Sequence, residues 1–230
     1  MISILSDVTY GRLGNKLLQN VGVSVLSKKY DFFAKYNEIQ ENHILNLNLN
    51  SGSIVHQDCK IYTDLELEYL LDSQTKLENG IIYNGYFQFK CLLLDNKKLV
   101  ESVVPKIEIT QKNKVFVHVR LGDVENVNYG LNYYEEILNN ISFSDGMVSS
   151  DSPDHHIVQT LAKKYDLQIL NCSPIDTLLI ASQYEHRVLS GGTFSWWIGF
   201  LGNNNNVYCR RKPMFHGDIF VYPEWKYYDL

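Results

Sequence analysis

Strands that alternate with helices along the chain predict an α/β fold organised around doubly wound parallel sheets. Three observations carry this expectation. The run Val115-Phe116-Val117-His118-Val119 is rich in β-branched residues and reads as a parallel strand buried on both faces. Leu13, Leu17, Val21 and Val25 recur four apart directly after a glycine turn, which is the spacing of an apolar helix face. Glycine turns stand after strand segments at Gly11 to Gly14, at Gly122 and at Gly191-Gly192.

Taken in order, Ile2 to Leu5 reads as a short strand that runs into the first glycine turn and the Leu13 helix. Lys28 and Lys29 close that helix, where the macrodipole favours cations. Asp31 to Tyr36 reads as the next strand. Ile54-Val55 and Ile81 to Tyr83 are strand candidates, and Leu65 to Leu71 and Phe89 to Val104 have helical spacing. Pro105 is a break and Gln111 to Lys114 reads as a polar linker, so the domain boundary is expected between 1–110 and 111–230. In the second half, Asn132 to Asn140 is expected to be helical and Gly146 to Ser149 a strand. Ser152 with Pro153 reads as the start of a helix. Leu167 to Leu170 is the following strand. Ser173-Pro174-Ile175-Asp176 places an N-cap, a first-turn proline and an acid three residues on, an approximate capping box for a helix to about Tyr184. Arg187 to Leu189 is then a strand, Thr193 to Leu201 a helix and Val207 to Arg210 a last strand. The Asn-rich stretches 46–50 and 203–206 read as loops.

The chain has 230 residues, room for one domain or two small ones that share an interface. Hydrophobic residues at 45% and charged residues at 20% exclude a disordered or collagen-like chain. A net charge of -5 argues against a nucleic-acid binder that works through a broad basic face, and leaves room for a local basic pocket. Cys59, Cys91, Cys172 and Cys209 are far apart and form no C-x-x-C pair, so free thiols are expected. Met1 to Tyr10 lacks the basic start and apolar core of a signal peptide. No apolar run approaches the ~20 residues that span a bilayer, and a soluble, cytoplasmic protein is the expectation.

His118-Val119-Arg120-Leu121-Gly122-Asp123 follows a strand, at the edge where open parallel sheets bind ligands. A guanidinium there suits phosphate, because it hydrogen-bonds two oxygens at once. His118 can add a hydrogen bond and Asp123 can orient the arginine. A structural ion pair between Arg120 and Asp123 is the plainer alternative. Ser190-Gly191-Gly192-Thr193-Phe194-Ser195-Trp196-Trp197 is a glycine turn that opens a helix, a cradle for an anion with hydroxyls from Thr193 and Ser195. The plainer alternative is an N-cap followed by packed tryptophans, and packing is the expectation for Trp196 and Trp197. Gly11-Arg12-Leu13-Gly14-Asn15 lacks G-x-G-x-x-G spacing, so no nicotinamide cofactor is expected. There is no Walker A sequence and no D-x-D pair, and no metal is expected. His155-His156 are adjacent and diverge on a helix. Three glycine turns that present arginine, amides and hydroxyls suit a diphosphate held between two α/β units.

With these motifs in hand, the chain resembles the alpha-1,2-fucosyltransferases, glycosyltransferase family 11. Gly11-Arg12-Leu13-Gly14-Asn15 with Gln19 is similar to the family's G-x-x-G-N-x-x-x-Q. Gly85-Tyr86-Phe87-Gln88 is similar to its G-Y-x-Q, and His118 to Asp123 to its H-x-R-R-x-D. Ser150-Asp151 occupies the place of its S-D segment, and Thr193 to Trp197 matches its S-T-F-S-W-W. The resemblance implies a GT-B fold, two Rossmann-like domains with parallel sheets facing a cleft. Residues 1–110 would form the acceptor side and 111–230 would bind the sugar-nucleotide donor. It implies GDP-fucose as donor, a glycan acceptor, inversion at the sugar carbon and no metal or other cofactor. By resemblance Arg120, His118 and Asn15 are the catalytic set. Arg12, Gly14, Asp123, Asp151, Thr193, Phe194 and Ser195 line the donor, with Asp151 near the nucleoside.

Two departures from the family stand out. Leu121 replaces the second arginine of H-x-R-R-x-D, and Gly191-Gly192 stand where the family has Asn-Ser. Alternation along an extended segment puts Leu121 on the face opposite Arg120, and a packed core position is the expectation. Glu125 and Asp7 are candidates for the base only through their closeness in sequence to donor motifs. The alternatives are another nucleotide-sugar donor, or a non-catalytic saccharide- or nucleotide-binding domain of the same fold.

Overall fold

The computed structural model describes residues 4–6, 11–55, 58–72, 80–122, 128–203, 206–210 and 219–228. The chain divides into two compact units, Met1–Pro105 with Gly217–Ile219, and Lys106–His216 with Phe220–Leu230. Each is a mixed α/β unit on its own sheet, and all strand pairings among the described residues are parallel.

The first unit runs β1 (Ile4–Ser6), α1 (Leu13–Tyr30), β2 (Ala34–Lys35), α2 (Glu41–Ile44), β3 (Cys59–Thr63), α3 (Asp64–Asp72), β4 (Gly80–Asn84), α4 (Lys90–Leu93) and α5 (Lys97–Val103). Its sheet has the order β2-β1-β4-β3. The four-residue spacing that predicts α1 is real, yet the helix is buried on more than that face. Gln19, Asn20, Ser24 and Ser27 are fully buried beside Leu17, Val21 and Val25. Loop backbone covers the polar side. Asn20 Nδ2 donates to the Asn37 carbonyl at 2.9 Å, Ser24 Oγ accepts from Asn50 N–H at 2.8 Å, and Ser27 Oγ accepts from Gly52 N–H at 2.9 Å. Buried polar side chains of this kind need partners, and loop main chain at Asn37, Asn50 and Gly52 supplies them.

The second unit runs β5 (Gln111–Val119), α6 (Gly130–Asn139), β6 (Asp145–Ser150), α7 (His156–Tyr165), β7 (Leu167–Leu170), α8 (Pro174–Ala181), β8 (Tyr184–Val188), α9 (Thr193–Leu201), β9 (Val207–Cys209) and β10 (Lys226–Tyr227). Its six strands lie in the order β10-β9-β8-β5-β6-β7. Val115, Val117, Val119 and Leu121 on β5 and its extension pack with Tyr134 and Leu161 in one core cluster. Trp196 and Trp197 are fully buried, and Trp196 stacks on Phe200 with ring centroids 4.6 Å apart. Arg187 is also fully buried and gives Nη1 hydrogen bonds to the Ser182 and Tyr184 carbonyls. Gly202 is required beside it, because a Cβ there would overlap the guanidinium.

Several boundaries differ from the sequence expectation. Gln111 to Lys114 is not a linker but the polar, half-exposed start of β5, held by parallel pairing to β8 and by Lys114 against Asp145 at 3.0 Å. The Ser152-Pro153 start is a turn instead. Helix α7 begins at His156, and the His155 ring caps it by accepting from Ile157 N–H at 3.2 Å. The run from Phe89 to Val104 is broken into α4 and α5, with Asn96 Nδ2 donating to the Cys91 carbonyl at 2.6 Å in the turn between them. Helix α8 stops at Ala181: Gln183 N–H turns to the Ile180 carbonyl, and the Gln183 side-chain Nε2 donates to the Leu179 carbonyl in its place. The Ser173 cap stands, with its hydroxyl accepting from Asp176 N–H at 3.2 Å. No helix among the described residues is long and apolar enough to cross a membrane.

Candidate functional site

In the second unit the chain lays down β5, β6 and β7 outward in one direction, then returns to lay down β8, β9 and β10 on the other side of β5. The switch point lies between β5 and β8. Open parallel sheets bind ligands at the carboxyl ends of the strands beside such a point. Val117 lies opposite Val188, so the two strands deliver His118-Val119-Arg120 and Leu189-Ser190-Gly191 to the same level of the edge.

His118, on β5, is buried, and its Nδ1 lies 2.6 Å from Ser195 Oγ on α9 and 3.1 Å from Ser190 Oγ after β8. The two hydroxyls are 3.0 Å apart, and the Phe194 ring sits 5.2 Å from the imidazole. Burial pushes the His118 pKa down to about 4, and Arg120 adds to this while Asp151 opposes it. The ring is therefore neutral at pH 7. An unfolded histidine takes its proton near pH 6.5. Between the two values the unfolded chain holds more protons than the folded chain, so stability rises with pH there. This contribution is fully present above about pH 6.5 and is lost as pH falls through about 4, an effect on the order of 3 kcal/mol. Thermal melts from pH 7.5 to 4 are expected to fall more steeply for the natural chain than for His118→Gln. Equal slopes would overturn the assignment.

Arg120 follows β5, with its side chain about one-fifth exposed, and Nη1 lies 3.5 Å from Asp151 Oδ2. Asp151, after β6, also accepts from Leu121 N–H at 2.9 Å. Gly122 has φ of 35°, and a Cβ there would meet the same carboxylate at 2.5 Å, so glycine lets Asp151 close on the turn. Leu121 is fully buried, on the core side of the sheet. Helix α9 opens with Gly192 as its N-cap at φ of 93°, a conformation open to glycine, and Thr193 follows in the first turn. The amide end of this nine-residue helix follows β8 after a short turn, and its Ser195 hydroxyl lies 3.0 Å from Ser190 beyond the end of β8.

Two residues on this edge carry no site role in the sequence reading. Tyr129 approaches Gly191 so closely that a Cβ there would meet its hydroxyl at 3.0 Å. The Arg210 guanidinium, just after β9, lies 5.4 Å from the centre of the Tyr129 ring. β9 pairs with β8, which puts Arg210 on the strand end next to Ser190. The sequence signal was present, a basic residue directly after a strand, but its closeness to β8 depends on strand order.

In the first unit, the carboxyl ends of the adjacent strands β1 and β4 lead to the other two motif segments. Gln88 Nε2 donates to Asn15 Oδ1 at 3.2 Å, and Gln19 Nε2 donates to the Gly85 carbonyl at 3.2 Å. Gly11 has φ of 102°, and a Cβ there would lie 3.1 Å from Asn15 Cβ. Gly14 is buried in α1, and Arg12 is exposed at its N-cap. Asp64 accepts from the main-chain N–H groups of Tyr86 and Phe87, at 3.0 and 3.1 Å, and fixes the β4 turn.

Of the predicted site residues, His118, Arg120, Asp151 and Ser195 are brought together in the second unit, with Thr193 and Phe194 on the same helix. Asn15, Arg12 and Gly14 belong to the first unit. Asp123, Glu125 and Asp7 lie outside the described residues, as does the suggested Arg120–Asp123 pair. Asp151, expected near a nucleoside, contacts Arg120 and the Leu121 main chain. Among the described residues no group of three or more His, Cys, Asp or Glu side chains is arranged to hold a metal ion. Comparison with protein-family models, curated proteins and solved structures finds no match to this chain.

Proposed function

We propose that the chain is an inverting glycosyltransferase of the GT-B class, transferring L-fucose from GDP-fucose to a saccharide hydroxyl. Its two parallel-sheet units would be the two Rossmann-like halves of that fold. One observation carries the reading. The H-x-R segment and the T-F-S-W-W segment, more than 70 residues apart, meet at the switch point of a parallel sheet through His118 and Ser195, 2.6 Å apart. The pairing of Asn15 with Gln88 joins the other two motifs in the same manner.

In this mechanism the bond between the sugar carbon and the diphosphate breaks. The acceptor oxygen bonds that carbon from the opposite face and passes its proton to water, while the departing nucleotide keeps the bonding electrons. Charge develops on the departing diphosphate, and preorganised donors aimed at it lower the barrier. Arg120 supplies a guanidinium held by Asp151, and the first turn of α9 supplies amides and the Thr193 hydroxyl. His118, neutral, acts as a hydrogen-bond donor and not as a cation. Arg210 offers a second guanidinium on the neighbouring strand end.

The test is a screen of nucleotide sugars with linkage analysis of the product, run with and without a chelator. GDP-fucose is expected to be consumed with an inverted linkage, at an unchanged rate after chelation. Turnover of another nucleotide sugar alone would overturn the donor. Nucleotide binding without turnover or donor hydrolysis would make the chain a binding domain. Strict dependence on added manganese would point to a different site design.

A further inference from the structure

We propose that Ser190 is the positioning residue of this sheet edge. Its one hydroxyl links the Arg120 main chain to Ser195, and through Ser195 it holds His118 in one orientation with the proton on Nε2.

Four atoms make the argument. Ser190 Oγ accepts from Arg120 N–H at 3.0 Å, and it lies 3.0 Å from Ser195 Oγ and 3.1 Å from His118 Nδ1. Ser195 Oγ lies 2.6 Å from that nitrogen. Hydroxyl donors make bonds of about 2.5–3.0 Å, whereas N–H donors to oxygen rarely come closer than about 2.7 Å. The 2.6 Å contact therefore fits Ser195 O–H donating to Nδ1. Ser190 O–H then donates to Ser195 Oγ, and Arg120 N–H donates to Ser190 Oγ. Each hydroxyl hydrogen is used once in this relay.

The opposite tautomer fits less well. With the proton on Nδ1, the Ser195 hydroxyl would turn to Ser190 and the Ser190 hydrogen would need another acceptor. The Tyr134 hydroxyl borders Ser190 and can take that hydrogen, so the 2.6 Å contact, short for an N–H donor, is what favours the first arrangement. The charged groups that act on the ring are Arg120, from the loop after β5, and Asp151, from the end of β6. The β8 end and α9 face it with Ser190, Ser195 and Phe194. One serine thus couples the arginine's main chain to the histidine's proton. That Nε2–H serves a donor phosphate rests on the function proposed above; the relay itself does not.

The experiment is nitrogen NMR of imidazole-labelled protein between pH 5.5 and 8, with His118 signals identified by their loss in His118→Gln. The natural chain is expected to show a neutral ring with a protonated Nε2 throughout. Ser190→Ala is expected to mix the tautomers and speed exchange of the Arg120 amide ~10-fold, and Ser190→Thr to restore both. In the transfer assay Ser190→Ala should lower kcat more than it raises KM. A protonated Nδ1 in the natural chain overturns the proposal, as does Ser190→Ala with unchanged tautomer and amide exchange. Should Ser190→Ala not fold, Ser195→Ala carries the test: mixing of the tautomers supports the relay, and an unchanged ring overturns it. A chain that shows the relay but transfers no sugar keeps this inference and loses the proposed function.

Discussion

Under the proposed transferase function, Arg120→Ala is expected to lose ~100- to 1,000-fold in transfer rate while its melting temperature stays close to that of the natural chain. Removal of one donor to developing negative charge costs ~2.7–4 kcal/mol of transition-state stabilisation. The fold should survive for two reasons. Arg120 donates its main-chain N–H to Ser190, a contact that alanine keeps. Asp151, left without the guanidinium, still accepts from Leu121 N–H and stays partly exposed to water. Arg120→Lys should recover little, because an ammonium lacks the flat two-pronged geometry that matches a phosphate. Near-natural activity in Arg120→Ala would remove this residue from the proposed donor site.

Leu121→Arg is expected to destabilise the second unit by about 3–5 kcal/mol, the usual scale for an uncompensated buried charge. A fall in melting temperature on the order of 10 °C would follow. Leu121 is fully buried in the cluster that holds Val119, Tyr134, Val148 and Leu161. An arginine there has no carboxylate within the cluster and cannot reach the carboxyl edge of the sheet without disturbing the main chain that Asp151 holds. Leu121→Met, of similar volume, should cost less than ~1.5 kcal/mol. Calorimetry with GDP alongside the melts decides the matter. Tighter GDP binding at an unchanged melting temperature would show that the side chain faces the ligand after all.

The parts of the fold that were legible in the sequence share one property, that their cause is local. The Ser173-Pro174-Asp176 start of α8, the β-branched run of β5 and the Gly191-Gly192 turn into α9 are each decided by residues next to one another. The elements that were missed lack such signals. β3 is an edge strand with Lys60 and Ile61 exposed, and β10 is two residues long; both exist because a neighbour offers backbone to pair with. The polar start of β5 is strand for the same reason.

The candidate site divides along the same line. By itself the sequence determined which residue types stand after which strands: His118 and Arg120 after one valine-rich strand, serine and glycines before α9, Gly11 to Asn15 at the head of α1. It also determined, through alternation, that Leu121 turns into the core. Only the tertiary structure decided that Asp151 meets Arg120, that Ser190 joins Arg120 to His118 through Ser195, and that Arg210 and Tyr129 reach the same edge. These contacts span 30 to more than 70 positions and depend on the order and register of parallel strands. Their effect on His118, a neutral ring, comes from burial, which only a folded core creates.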